Sequence, residues 1–283
     1  ARALKLSTRF TGRLSMIACR NAYNGSTHGV MSIMNSYEFS DAYGPMLPGV
    51  DWITYNNLAD LDKINEETAC VLIEPVQGEA GVRLPEKGYL EALRKKCDSI
   101  GTLLIFDEIQ TGFGRTGEMF AMTKYGVTPD IVCLAKALGG GMPLGAFVSS
   151  RHIMECLSHD PALGHITTFG GHPVCCAAGL AAMEYIIEHR LLEDVERKGA
   201  MFETLLASHS AVKEIRRSGL LMAVELGSSE RLYHIMELFK ERGILSDWFL
   251  FCDTAFRISP PLTMTDDEIR DVCGIIHGCL DDL

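Results

Sequence analysis

The chain has 283 residues, 47% of them hydrophobic and 22% charged, the composition of an ordinary globular protein large enough to build more than one core. Its formal net charge of -11 argues against nucleic acid or an anionic membrane as a partner, since either calls for a basic face. No run approaches the roughly 18 apolar residues of a membrane span, and no charged start followed by an apolar core suggests a signal peptide.

In chain order, Ala1-Arg2-Ala3-Leu4-Lys5-Leu6-Ser7 opens on helix formers without a cap or an initiator methionine. It reads as the middle of a helix, and the chain as a fragment. The run Cys70-Val71-Leu72-Ile73 predicts a buried strand. Leu90, Leu93 and Cys97 recur at helical spacing from Gly88 to Ser99, with Gly101 as a stop, and a second strand, Leu103 to Phe106, follows at once. Strand, helix and strand of this size predict a parallel crossover. A short helix over Phe120 to Tyr125, a strand from Ile131 ending at Lys136 and then Gly139-Gly140-Gly141 continue an α/β pattern. Helices are predicted from Val174 to about Ile187 and from Leu192 to Ala207. A strand (Leu220 to Leu226), a helix (Ser229 to Arg242), an extended stretch around Phe256-Arg257-Ile258 and a final helix complete the chain. The last helix opens on the capping-box pattern Thr265-Asp266-Asp267-Glu268. These elements predict a large domain over 1–186 with a mostly parallel central sheet, and a smaller α+β domain over 187–283.

Ten cysteines are scattered, mostly in apolar segments and without a C-x-x-C pair, so they read as thiols of a reducing, cytoplasmic compartment. Nine histidines lack ligand spacing, and no metal site is predicted.

Asp107 and Lys136 carry the most chemistry. Each ends a run of apolar residues that reads as a strand buried on both faces, and ligands of open α/β sheets bind at the carboxyl ends of such strands. A buried carboxylate and a buried amine there meet the two needs of pyridoxal 5'-phosphate: an amine to form a Schiff base with its aldehyde, and an anion to pair with its protonated ring nitrogen. Desolvation of the lysine would lower its pKa and free its lone pair.

Four ordered motifs, Glu74-Pro75-Val76-Gln77-Gly78-Glu79, Phe106-Asp107-Glu108-Ile109-Gln110-Thr111-Gly112-Phe113-Gly114-Arg115-Thr116-Gly117, the Lys136 segment and Thr168-Phe169-Gly170-Gly171-His172-Pro173, resemble the class III pyridoxal-phosphate aminotransferases of fold type I. The similarity is strongest to the acetylornithine/ornithine and 4-aminobutyrate branch. The resemblance implies transfer of an amino group from an ω-amino or diamine-type donor to a 2-oxo acid such as 2-oxoglutarate. It implies that Lys136 links the cofactor and moves the proton, Asp107 holds the pyridine nitrogen, Gln110 bonds the ring hydroxyl and Tyr23, before Gly25, stacks on the ring. Glu74 belongs to the same cofactor-binding set. Thr168, with Thr167, would reach the phosphate held by the neighbouring subunit, so a homodimer with shared active sites is implied. Glu79 and Arg257 would pair in the substrate site, either as a gate that frees Arg257 for the acceptor's α-carboxylate in one half-reaction or as a static ion pair between domains.

Two departures stand out. The family's Ser-Gly phosphate turn is not found before the first helix, from which weak cofactor binding by this piece is expected. Tyr23-Asn24-Gly25-Ser26-Thr27 places Ser26 where the ornithine branch often has an arginine for a substrate carboxylate. Three alternatives stay open at this point: a lyase or aminomutase on the same scaffold, a dinucleotide-binding oxidoreductase suggested by the G-x-G-x-x-G run Gly112 to Gly117, and a binding-only or inactive protein.

Overall fold

The computed structural model describes the backbone of residues 1–283 and every side chain except that of Tyr37. The chain packs as two compact units. One comprises Ala1–Pro75, Pro85–Gly112 and Ala121–Tyr185, the other Val76–Leu84, Phe113–Phe120 and Ile186–Leu283.

The first unit is built on six strands, β1 (Ser15–Cys19), β2 (Val50–Ile53), β3 (Thr68–Ile73), β4 (Leu103–Asp107), β5 (Ile131–Leu134) and β6 (Ala146–Ser149), in the order β2-β1-β3-β4-β5-β6. All neighbours are parallel except β5 and β6, which are antiparallel. β3 and β4 are buried at every position, which is why they appear in the sequence as unbroken apolar runs. The alternation of a strand then sorts their side chains to two cores. Val71, Ile73, Leu104 and Phe106 meet Tyr89, Leu90, Leu93 and Cys97 of the helix Tyr89–Ile100. Cys70, Leu72, Leu103 and Ile105 face Ala3, Leu4 and Leu6 of the helix Arg2–Thr11. Each fully buried aliphatic side chain contributes about 1.5–3 kcal/mol, so the sheet is clamped from both faces. Gly101, at φ 67, ends the Tyr89–Ile100 helix in the left-handed conformation. The register Ile73↔Phe106 and Asp107↔Cys133 aligns the carboxyl ends of β3, β4 and β5.

The second unit carries an antiparallel sheet, β7 (Glu214–Ser218), β8 (Leu221–Glu225), β9 (Trp248–Phe249) and β10 (Cys252–Ile258), ordered β7-β8-β10-β9. Helices Leu192–Leu206, Ser229–Glu241 and Asp266–Asp281 bury Phe202, Phe239 and Ile276 against Met222, Val224 and Phe256. Thr265 and Glu268 form the predicted capping box.

The sequence did not predict β1, β2, β6, β7 or β9; the strand it placed over 220–226 is β8, and the unpredicted β7 pairs with it as a hairpin. β7 reads Glu-Ile-Arg-Arg-Ser, and its buried Arg216 is held by Glu214 at 2.5 Å and Glu225 at 3.0 Å. Ion pairs replace the apolar period there. Among the described residues no helix is long and apolar enough to cross a membrane.

Candidate active site

Asp107 is the last residue of β4 and only 6% exposed. Its Oδ2 accepts a hydrogen bond from Asn24 Nδ2 at 2.8 Å and its Oδ1 one from the Ile109 N–H at 3.1 Å. Burial raises this carboxyl above the usual carboxylate range, opposed by the Asn24 amide, the Ile109 N–H and the charge of Lys136. The same burial, with Asp107 nearby, pushes the Cys133 thiol up to about 12.

Glu108 faces the other way and is fully buried. Its carboxylate accepts from Thr111 Oγ1 at 2.5 Å and from the N–H groups of Ala121 and Met122 at 2.8 and 2.7 Å. It thereby ties the turn after β4 to the first residues of the helix Ala121–Tyr125. Gln110, between them, is half-buried.

Two residues beyond β5, Lys136 adopts φ 47, a left-handed conformation that costs a non-glycine residue energy and clusters at functional sites. The expectation of a buried amine needs correction, because Lys136 is exposed: β5 ends at Leu134, and the chain has left the apolar layer before the lysine. The turn Lys136–Gly139 is seated by glycine. A Cβ on Gly140 would collide with the carbonyl of Ala178, and one on Gly179 with the carbonyl of Leu138. The lysine turn and the helix Pro173–Glu188 therefore touch backbone to backbone.

Beyond β1, the Tyr23 N–H donates to Glu74 Oε1 at 3.1 Å. Glu74 is 4% exposed and follows β3 directly, so the 23–25 segment is tied to the ends of β3 and β4 at once. Gly25 takes φ 118, which only glycine adopts freely. A cavity of about 1360 Å³ opens at this edge, lined among others by Asn24, Thr27, Asp107, Ala135, Thr167 and Thr168. Of the sequence-predicted residues it brings together Asp107, Thr167 and Thr168. Tyr23, Gly25, Glu74, Gln110 and Lys136 are placed in the same unit outside its wall, Tyr23, Gly25, Gln110 and Lys136 each next in sequence to a lining residue.

Glu79 and Arg257 belong to the second unit, together. Arg257 Nη2 lies 2.8 Å from both Glu79 oxygens, and its guanidinium sits 4.7 Å from the centre of the Phe249 ring. Glu79 Oε2 also accepts from the Leu250 N–H at 3.2 Å. Because both residues fall in one compact unit, the ion pair does not join the two units. The run Gly112 to Gly117 forms turns and opens no helix, and Arg115 donates to the carbonyls of Leu220 and Pro260 at 3.2 and 2.6 Å. It lacks the strand-to-helix setting of a dinucleotide fingerprint.

The pattern of the family described as Aminotransferase class-III matches residues 1–280. The chain belongs to the class III aminotransferases. It is 41% identical over 280 residues to an acetylornithine aminotransferase of Methanopyrus kandleri, a match that covers 98% of this chain and 71% of that one. An ornithine aminotransferase structure from Toxoplasma gondii superposes with a TM-score of 0.92 at 33% identity, covering 99% of this chain and 70% of that one. An amine transaminase from an uncultivated Pseudomonas species, in a PLP-bound form, superposes with a TM-score of 0.86 at 28% identity, covering 99% and 72%.

Class III aminotransferases are transaminases that depend on pyridoxal phosphate, and the residues of this aminotransferase fit that cofactor. An ionised carboxylate offers about four acceptor positions, and Asp107 uses two on the protein. Asn24 Oδ1 is buried without a partner, an acceptor left over on the cavity wall. When bound, the cofactor supplies an electron sink for the carbanion formed at the donor's carbon.

Asn24 and Glu108 are the residues that sequence reading missed. Glu108 stood inside a quoted motif, but nothing local revealed that its partners lie at Ala121 and Met122. Asn24 had no signal at all, since its partner lies 83 residues away.

Proposed function

We propose that this aminotransferase takes an amino group from an ω-amino or diamine-type donor, of the acetylornithine, ornithine or 4-aminobutyrate class, and delivers it to a 2-oxo acid such as 2-oxoglutarate. The observation that carries the reading is Asp107 at the end of β4 beside β5, whose continuation presents Lys136 within electrostatic reach. In this reading the Lys136 amine holds the cofactor's aldehyde carbon and then carries the proton to and from the donor's carbon. Asp107 keeps the ring nitrogen protonated, Gln110 bonds the ring hydroxyl, Tyr23 covers the ring face, and Gly25 and Glu74 hold that segment in place. In this reading residues 1–186 carry the cofactor site and 187–283 form a smaller domain, with 76–84 and 113–120 packing in the second unit.

The reading includes a cytoplasmic homodimer in which Thr167 and Thr168 serve the partner's cofactor phosphate. Leu163, Ile166 and Phe169, followed by Val174 and Leu180 on the helix Pro173–Glu188, are all exposed, and so many exposed large apolar residues within one stretch of chain support a covered face. All ten cysteines are free, in keeping with a reducing compartment.

Donor choice turns on Glu79 and Arg257. A carboxylate clamped on a guanidinium leaves no bidentate site for a substrate α-carboxylate, and a carboxylate that swings away restores one. Ser26, exposed and uncharged, adds no cation, so a donor screen has to include amines without a distal carboxylate. Stopped-flow measurement of each half-reaction tests the gate. Glu79→Ala should speed reaction with α-amino acids, and Arg257→Ala should weaken mainly the 2-oxoglutarate step. Equal losses in both half-reactions for both variants would identify a static pair. Release of ammonia, or return of the amine to the same carbon skeleton, in place of a stoichiometric oxo product would favour a lyase or aminomutase.

A further inference from the structure

We propose that Asn24 is a positioning residue of the active site: its amide N–H holds Asp107 Oδ2 and so fixes the plane and the negative charge of the carboxylate offered to the cofactor's ring nitrogen. The inference rests on Asp107 being that partner. Three observations carry it. The bond, 2.8 Å from Nδ2 to Oδ2, spans two loops and ties the segment after β1 to the end of β4. The amide has one workable orientation, since Oδ1 turned toward an ionised carboxylate would repel it. That orientation leaves Oδ1 buried without a partner, a cost that a side chain placed for packing alone would not retain. Tyr23, the neighbouring residue, is anchored through its own N–H to Glu74, so the amide is aimed by backbone held at two points.

An amide suits this task because it donates without carrying charge. The side chains facing Asp107 are Lys136 and Cys133; the first carries charge and the second offers only a weak thiol donor, so neither replaces the amide. Asn24→Ala removes the donor. Asn24→Asp puts a second carboxyl at the same place, and two carboxyls this close share one proton. Protonated, the new side chain donates to Asp107 as the amide did; ionised, it repels it.

The experiment is a cycle of Asn24→Ala, Asp107→Ala and the double variant, with Asn24→Asp beside it. In the holoenzyme Asn24→Ala should lower kcat roughly ten- to a hundredfold, the rate equivalent of one charge-assisted hydrogen bond, with KM little changed and no further loss in the Asp107→Ala background. Asn24→Asp should keep activity on the acid side and lose it as pH rises through a limb absent from the wild type. In the cofactor-free protein, ¹³C NMR of labelled aspartate should show Asp107 titrating at higher pH in Asn24→Ala than in the wild type. Wild-type kcat, additive losses, an unaltered pH profile or an unmoved Asp107 titration would overturn the role of Asn24. If Asp107→Ala itself left turnover intact, the underlying reading of Asp107 would be the one that failed.

Discussion

At the scale of single residues, the site sets burial against charge. Asp107 is held in an apolar layer and stays useful only as an anion, so two neutral donors and one cation work against its desolvation. A carboxyl whose pKa is raised on folding binds its proton more tightly in the native state, so its ionisation weakens the fold above that pKa. The penalty vanishes as pH falls to the unfolded value. In the cofactor-free protein, the difference in Tm between the wild type and Asp107→Ala should therefore move in favour of the wild type as pH is lowered from neutral toward the ordinary carboxylate range. Thermal denaturation across pH measures it, and a pH-independent difference would show that Asp107 is not desolvated. In turnover the same variant should lose about a hundredfold or more, the effect of removing a buried charge partner worth about 3 kcal/mol. Asp107 and Lys136 were legible in the sequence because an apolar run precedes each. Asn24 was not, because a single amide beside an aromatic forms no pattern until the fold brings Asp107 to it.

Elements explain which parts of the fold could be read. β3 and β4 lie inside a parallel sheet and are buried on both faces, so their composition announces them. β6, at the edge, alternates exposed and half-buried residues, and β7 replaces apolar contacts with arginine pairs, so neither shows a hydrophobic period. The helix predicted from Val174 to about Ile187 forms over Pro173–Glu188, yet it buries only Cys175 and Gly179. Gly179 is buried because the Leu138 carbonyl packs directly on it. Gly179→Ala should force the lysine turn off the helix, at a cost of about 1–3 kcal/mol for overpacking. The expected result is a lower Tm together with weaker cofactor retention on gel filtration, whereas an alanine equivalent at the exposed Gly274, whose added Cβ meets nothing, should leave retention unchanged. A Gly179→Ala protein that retains cofactor as the wild type does would show that the turn does not depend on this contact.

For the whole molecule, the apolar surface around Phe169 and Leu180, 78% and 55% exposed, is the feature that a single chain does not explain. The proposed homodimer covers it, and with it the exposed end of the lysine turn. Phe169→Glu combined with Leu180→Glu should shift sedimentation velocity toward the monomer and reduce activity in parallel, because Thr167 and Thr168 would lose the partner they serve. A dimer unaffected by both charges would place the interface elsewhere. The central claim, that Lys136 is the residue to which the cofactor is joined, has a direct chemical test. Borohydride reduction of the protein loaded with pyridoxal phosphate, followed by proteolysis and mass mapping, should place the adduct on the peptide containing Lys136 and abolish it in Lys136→Ala; an adduct on another lysine, such as Lys124, would contradict the account.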